Sequence, residues 1–185
     1  MIPELGNFAL ILALLLSVVL GTLPIVGAAR NIPAWTALAR PAAQGMALFV
    51  AVAWGCLVYS FMVSDFSVLN VATNSNSQLP AQYRFAASWG SHEGSMLLWV
   101  FMLGFWTLAV SLKSRHLPDD MVARVLGVMG LVSFGFLLFM LLTSNPFDRL
   151  FPVPADGRDQ RAQVASSRPP SSAPMANANA TEKPT

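Results

Sequence analysis

Four uninterrupted apolar stretches constrain the fold of this chain more than any other feature of its sequence. They cover residues 7–29, 42–63, 94–112 and 125–143, and none of them contains Asp, Glu, Lys, Arg or His. A helix needs about 20 consecutive apolar residues to cross the hydrocarbon core of a bilayer. The sequence therefore predicts an all-α integral membrane protein, a four-transmembrane-helix bundle.

The composition supports a lipid environment and excludes several other classes of protein. Of the 185 residues, 55% are hydrophobic and only 11% are charged, whereas about a quarter are charged in a typical soluble domain. The net charge is +2 and the basic residues form no run, so a nucleic-acid partner is not expected. Because Cys56 is the single cysteine, an internal disulfide and a cysteine metal cage are both excluded.

Basic residues in the short connections predict how the bundle is oriented. These residues are Arg30, Arg40, Lys113, Arg115 and Arg124. Short loops rich in Lys and Arg remain on the cytoplasmic side, whereas the long connection 64–93 has only Arg84. We therefore expect both termini and loop 64–93 on the outside. The leader before the first stretch has Glu4 and no basic residue, which favours a retained span over a cleaved signal peptide.

Small residues recur at four-residue intervals in the first two spans. Residues four apart share one face of a helix, and small side chains let membrane helices approach closely. The pattern predicts that the first two spans pair as an antiparallel hairpin through these two stripes. The stripes are Ala9, Ala13, Ser17 and Gly21 in the first span, and Ala43, Ala47, Ala51 and Gly55 in the second.

The long connection 64–93 is expected to be ordered and functional, since it exceeds the usual loop length of about 12–15 residues and is rich in apolar side chains. A short helix is predicted over residues 80–88, with proline at its start. Ser91 is a good N-cap for the third span, and Glu93 would then lie near the positive end of the helix dipole. The same end disfavours a charged imidazole at His92, and neutral imidazole can ligate iron or relay protons.

A ligand role for His92 needs a partner from elsewhere. The only other histidine is His116, which lies in the connection at the opposite membrane surface, so one copy cannot form a bis-histidine site. His92 is therefore either an interfacial structural residue or a metal-ligand or proton-transfer residue, and spacing favours the structural role.

Several motifs resemble the CcmF/NrfE family of haem lyase subunits, which act in cytochrome c-type biogenesis. The matching stretches are PELGN, SDFSVLNVATNSNSQLPAQYRFAASWGSHEGSMLLW, VARVLGVMG, FGFLLFMLLTSNPF and FPVPADGRD. Together they extend over residues 1–159. The block from residue 64 to residue 99 is long and specific.

The resemblance implies a bacterial inner-membrane protein whose working face is periplasmic. It implies haem as the cofactor and, as partners, a haem chaperone, thiol-handling maturation subunits and an apocytochrome c whose CxxCH thiols receive the haem. In this chain it implies that the WGSHEGSMLLW segment shapes a haem or apocytochrome platform without performing the ligation chemistry. The candidate platform residues are Trp89, Gly90, Ser91, His92, Glu93, Gly94, Ser95 and Trp99.

After residue 159 the sequence departs from the family. The WWD segment is absent from the 185 residues. Residues 148–159 are expected to form an external segment, and the Pro/Ser/Ala-rich residues 160–185 a disordered tail. A truncated or frameshifted product is one interpretation, a non-catalytic scaffold or split subunit is another, and a small multi-span transport protein is a third. Catalysis by this chain alone is not expected, because it has no nucleophile–base pair and no paired carboxylates.

Overall fold

The computed structural model describes residues 1–151 and 153, and this part of the chain is almost entirely helical. It contains no β-strand, only an isolated antiparallel bridge between Val68 and Arg149, so the predicted all-α class is confirmed. The predicted tail 160–185 and most of segment 148–159 lie outside the described residues. The α-helices of the described part are α1 (Ile2–Arg30), α2 (Pro33–Ala37), α3 (Ala39–Met62), α4 (Leu69–Asn74), α5 (Ala81–Gly90), α6 (His92–Lys113) and α7 (Asp119–Thr143).

The four predicted spans are confirmed as helices long and apolar enough to cross a membrane. These segments are Ile2–Arg30, Pro33–Met62, His92–His116 and Asp119–Thr143. The chain is therefore a multi-pass membrane protein. Each helix runs beyond its apolar stretch where local signals allow. Pro3 sits in the first turn of α1, where its missing N–H costs no hydrogen bond, and Asp119 and Asp120 lie at the positive end of the α7 dipole.

Helix α1 is the centre of the bundle, with its most extensive contacts to α3 and α7, while α6 packs mainly against α3. Helix α6 is the most exposed of the four, with only 28% of its apolar window buried. The fully buried side chains come from all four long helices and include Leu10, Leu20, Met46, Leu57, Leu97, Leu126 and Met140.

The two small-residue stripes do not pair with each other over their full lengths. All four stripe residues of α1 are buried, but in α3 Ala51 is half-buried and Gly55 is exposed with no atom near it. Gly21 lies against α7, and Ala47 lies against Gly104 of α6. Successive residues at a spacing of four rotate by about 40° around a helix, so a four-member stripe turns by about 120° and meets more than one neighbour.

Helices α1 and α7 approach each other closely at Gly21 and Gly130. A Cβ atom added to Gly130 would lie 3.0 Å from the backbone nitrogen of Gly21 and 2.8 Å from Leu20 Cγ. The two backbones can approach this closely because neither residue has a side chain.

We expect Gly130→Ala to lower the free energy of unfolding by about 1–2 kcal/mol, because the added methyl group overpacks the α1–α7 contact. Gly135→Ala is the matched control, since Gly135 lies on the same helix with nothing within 4 Å of its added Cβ. Thermal unfolding in detergent would measure both variants. Equal stability of the two would contradict the observed contact.

The two ends of the bundle differ in structure, and we name them by their connections. The long-loop end carries residues 64–93, the start of α1 and residues 144–150. The short-loop end carries residues 31–38 and 114–118. There Arg40 joins α3 to the end of α6, donating to the carbonyl oxygens of Ser111 at 3.5 Å and Ser114 at 3.3 Å and pairing with Asp119 at 3.3 Å.

Candidate functional site

Helix α6 begins at the long-loop end with the cap that the sequence predicts. The Ser91 hydroxyl oxygen accepts a hydrogen bond from the backbone N–H of Gly94 at 2.9 Å, and the backbone of Ser91 is extended, with φ −89° and ψ 163°. Glu93 lies in the first turn. The predicted capping role of Ser91 is therefore confirmed, and this cap fixes where the WGSHEGS segment turns from α5 into α6.

Gly94 permits the tight corner between α5 and α6. A Cβ atom at this position would lie within 2.9 Å of the Ser88 carbonyl carbon and 2.9 Å of Ser91 Oγ, and closer still to the Ser88 carbonyl oxygen. Gly90, only four residues earlier, has open space around it. Of the two glycines that flank the Ser91–Glu93 turn, only Gly94 is required by packing.

His92 lies at the mouth of α6 with its ring exposed. Its Nδ1 atom is 3.4 Å from the Ser144 hydroxyl oxygen. His116 lies beyond the other end of α6, roughly 33 Å away along a helix of this length. In residues 1–151 and 153 no three His, Cys, Asp or Glu side chains cluster closely enough to hold a metal ion.

The aromatic candidates occupy two separate places. Trp89 is on α5, where its ring packs edge-on against Phe85 at a centroid distance of 4.9 Å. Trp99 lies two turns into α6 and is 67% exposed. The structure gives no ring contact between them within the described residues, so Trp89 belongs to the loop and Trp99 to the outer face of α6.

Arg84 holds the long connection on the end of α3. Its guanidinium donates to the carbonyl oxygens of Leu79 at 2.8 Å and Ser77 at 2.7 Å within the loop, and to that of Met62 at 3.3 Å. The last carbonyls of a helix lack partners within it, so Arg84 satisfies one of them. The signal in the sequence was that Arg84 is the only basic residue in 64–93.

Residues 144–150 form part of the site together with the long connection. The sequence reasoning missed this segment. Backbone hydrogen bonds join this segment to the long connection, from Leu69 N to Asp148 O at 2.8 Å and from Leu150 N to Ser67 O at 2.9 Å. Arg149 pairs with Glu4 at 3.1 Å. We name residues 64–93 and 144–150 together the rim.

The rim is thus an ordered layer on one end of a membrane bundle. Comparisons with known proteins indicate which class of protein has this fold. A family model described as "Cytochrome C assembly protein" matches residues 89–175. A solved structure titled "Cytochrome c Heme Lyase CcmF" superimposes with a TM-score of 0.75 at 27% identity, over 80% of this chain and 25% of that chain. The fold is that of a multi-span cytochrome c assembly protein.

Curated relatives narrow this class further. The "Cytochrome c-type biogenesis protein CcmF" of Pseudomonas aeruginosa is 60% identical over 160 residues, which is 86% of this chain and 24% of the relative. The protein of the same name from Escherichia coli is 51% identical over 160 residues, 86% of this chain and 25% of its own length. The chain belongs to the CcmF/NrfE family and matches its N-terminal portion. It spans about a quarter of the length of these relatives.

Proposed function

We propose that this chain acts in cytochrome c maturation, as the N-terminal membrane part of a haem lyase subunit that helps attach haem to the CxxCH thiols of apocytochrome c. The observation that carries the proposal is 60% identity over 160 residues to a protein named for cytochrome c-type biogenesis. That identity extends through the spans and the rim together. A shared fold alone would not require it, because the same fold can host unrelated functions.

Within this function we assign the rim to one edge of a haem or apocytochrome platform. The candidate residues Trp89 to Ser95 surround the capped start of α6, and the partly exposed Phe85–Trp89 pair adds apolar surface beside it. His92 is exposed at the same place, where its ring is accessible to a ligand. We propose that these residues contribute to haem binding and that they do not perform the ligation chemistry.

The proposed setting is a bacterial inner membrane, with the rim and both termini on the periplasmic side. Exposed Arg30, Lys113, Arg115 and Arg124 all belong to the short-loop end, which fits the cytoplasmic side under the positive-inside rule. The partners we propose are a haem chaperone, thiol-handling maturation subunits and apocytochrome c, with the lipid bilayer around the spans.

A second candidate is a non-catalytic scaffold or split subunit whose remaining part is another polypeptide. The exposure of α6 favours it, since only 28% of the apolar window of that helix is buried while its outer face carries Trp99, Phe105 and Trp106. A second polypeptide with further spans could cover that face. The names of the relatives give no support to a small transport protein.

Photocrosslinking from two matched tryptophan positions tests the platform. Trp89 on the rim and Trp35 at the short-loop end are each 36% exposed, so replacing either with a photoreactive amino acid perturbs the protein to a similar degree. In membranes containing an apocytochrome c with an intact CxxCH motif, we expect crosslinks from position 89 and none from position 35.

The products of the crosslinking distinguish the candidates. Apocytochrome captured at position 89 supports the platform. Capture of maturation subunits alone at that position supports the scaffold instead. Equal apocytochrome yields from both positions, or none from position 89, would refute the assignment of the rim.

A further inference from the structure

A polar cavity of about 280 Å³ lies within the rim, between α4, the start of α6 and the end of α7. Its walls include Asn70 and Thr73 of α4, Glu93 of α6, and Ser144 and Asp148 of the segment that follows α7. The volume is at the lower limit of ligand pockets, which hold about 300–1,000 Å³. The cavity is therefore suited to a side chain and is too small for a porphyrin.

Asn70 lines this cavity with an unsatisfied hydrogen-bond donor. The residue is only 4% exposed, and its Nδ2 atom has no hydrogen-bond partner among the described residues. Its Oδ1 atom is already used, accepting from Asn74 Nδ2 at 3.0 Å. A buried donor without a partner costs about 1–3 kcal/mol, so an acceptor that entered the cavity would recover this loss.

Two carboxylates in the wall have no partner within residues 1–151 and 153. Neither Glu93 nor Asp148 forms an ion pair there, and no side-chain or backbone donor bonds to either carboxylate. The nearest basic neighbour in sequence, Arg149, is engaged with Glu4 at 3.1 Å. The end of α7 borders the cavity with partial negative charge and the start of α6 borders it with partial positive charge, so these two helix ends offset each other and the two carboxylates supply the negative charge of the wall.

The hydrogen bonds around the cavity hold these groups in place. The bond from Leu69 N to Asp148 O at 2.8 Å fixes Asp148 beside α4, and the Ser91 cap fixes the first turn of α6, which carries Glu93. The cavity is therefore a preformed site. Its two carboxylates favour a cation, and Asn70 supplies one unsatisfied hydrogen-bond donor.

We propose that this cavity binds a basic side chain, lysine or arginine, of another polypeptide. Glu93 and Asp148 hold the cationic group, and Asn70 Nδ2 donates to a carbonyl oxygen of the same ligand. The combination selects a peptide, because a bare metal ion would satisfy the carboxylates and leave the Asn70 donor without an acceptor. This inference goes beyond the proposed function, since it requires neither haem nor a cytochrome.

Synthetic peptides test the site on the full chain in detergent. The probe is a fluorescein-labelled peptide, Ala-Ala-Lys-Ala-Ala, blocked at both ends, and binding is measured by fluorescence anisotropy. A matched peptide with norleucine in place of lysine lacks the charge. We expect the lysine peptide to bind at least about tenfold more tightly, as hydrogen bonds to a charged group predict.

Variants of the protein test whether the lysine peptide binds in this cavity. Glu93→Gln and Asp148→Asn should each weaken binding of the lysine peptide about tenfold, whereas Asp120→Asn removes an exposed carboxylate at the short-loop end, far from the cavity, and should leave binding unchanged. Asp148 is exposed, so its variant is expected to fold even if the Glu93 variant does not. Unfolding curves check both.

Two competitors separate a peptide site from a cation site. Butylamine carries the ammonium group without a carbonyl, and Ca²⁺ is a hard cation that prefers oxygen ligands. Weak competition by both supports the proposal. Competition by either one at the affinity of the lysine peptide would overturn it, and so would equal binding of the lysine and norleucine peptides.

Discussion

Phe147→Ala is expected to lower the free energy of unfolding by about 3–5 kcal/mol, the usual cost of truncating a buried phenylalanine. Phe147 is 4% exposed and its ring closes over Gly6 near the start of α1, so that a Cβ on Gly6 would lie 2.9 Å from Phe147 Cε2. Removing the ring opens a cavity between α1 and residues 144–150. The rim should therefore detach from the N-terminal end of the bundle.

Cys56 offers a built-in reporter for this measurement. It is the only cysteine in the chain and is buried within α3, so a thiol-reactive fluorophore should label it only after unfolding. Phe151→Ala is the matched control, because Phe151 is 84% exposed. Similar labelling temperatures for the two variants would show that the Phe147 ring does not stabilise the folded state.

Gly94→Ala is expected to cost about 3 kcal/mol, the upper part of the usual range for overpacking. The added methyl group would contact the carbonyl group of Ser88 and the Ser91 hydroxyl. Backbone atoms of a capped helix corner cannot move aside as a flexible side chain can. Relief of the contact requires α5 to shift, which would disrupt the Ser91 cap and the orientation of Trp89.

Gly90→Ala provides the control for this substitution. Gly90 is in the same WGSHEGS segment, yet nothing lies within 4 Å of its added Cβ, so stability should change little. Thermal unfolding measures the stability, and crosslinking from position 89 measures the position of α5. A Gly94→Ala protein as stable as the Gly90→Ala protein would contradict the observed corner.

The spans and the Ser91 cap could be predicted from sequence because both depend on local chemistry. The length of an uncharged apolar stretch decides whether a helix can cross lipid, whatever its neighbours are. A serine hydroxyl likewise reaches an N–H only three residues on. The helix at 80–88 also forms, two residues later at its end, as α5.

The neighbours of each helix could not be obtained in the same way. The stripe in α3 is fully buried at Ala43 and is not packed at Gly55. Periodicity identifies a face but does not indicate which helix covers it. The Gly21–Gly130 approach depends on α7, which lies more than 100 residues further along the chain.

The contribution of residues 144–150 to the candidate site could not be predicted for the same reason. Asn145 is 3.4 Å from Asn7 across a separation of 138 residues, and no spacing rule links positions so far apart. Asn70 appears from the sequence as an ordinary loop asparagine, and its unpaired donor is evident only once the cavity is formed. The WGSHEGS segment was found from sequence because its residues are consecutive.

The contact between Gly6 and Phe147 also sets an order of events during synthesis. Helix α1 leaves the ribosome first, and at about 5–20 residues per second its partner ring follows roughly 7–28 seconds later. Throughout that interval Gly6 lacks the aromatic ring that covers it in the folded structure. The packing of this end of α1 is therefore completed only after α7 and the segment that follows it have been made.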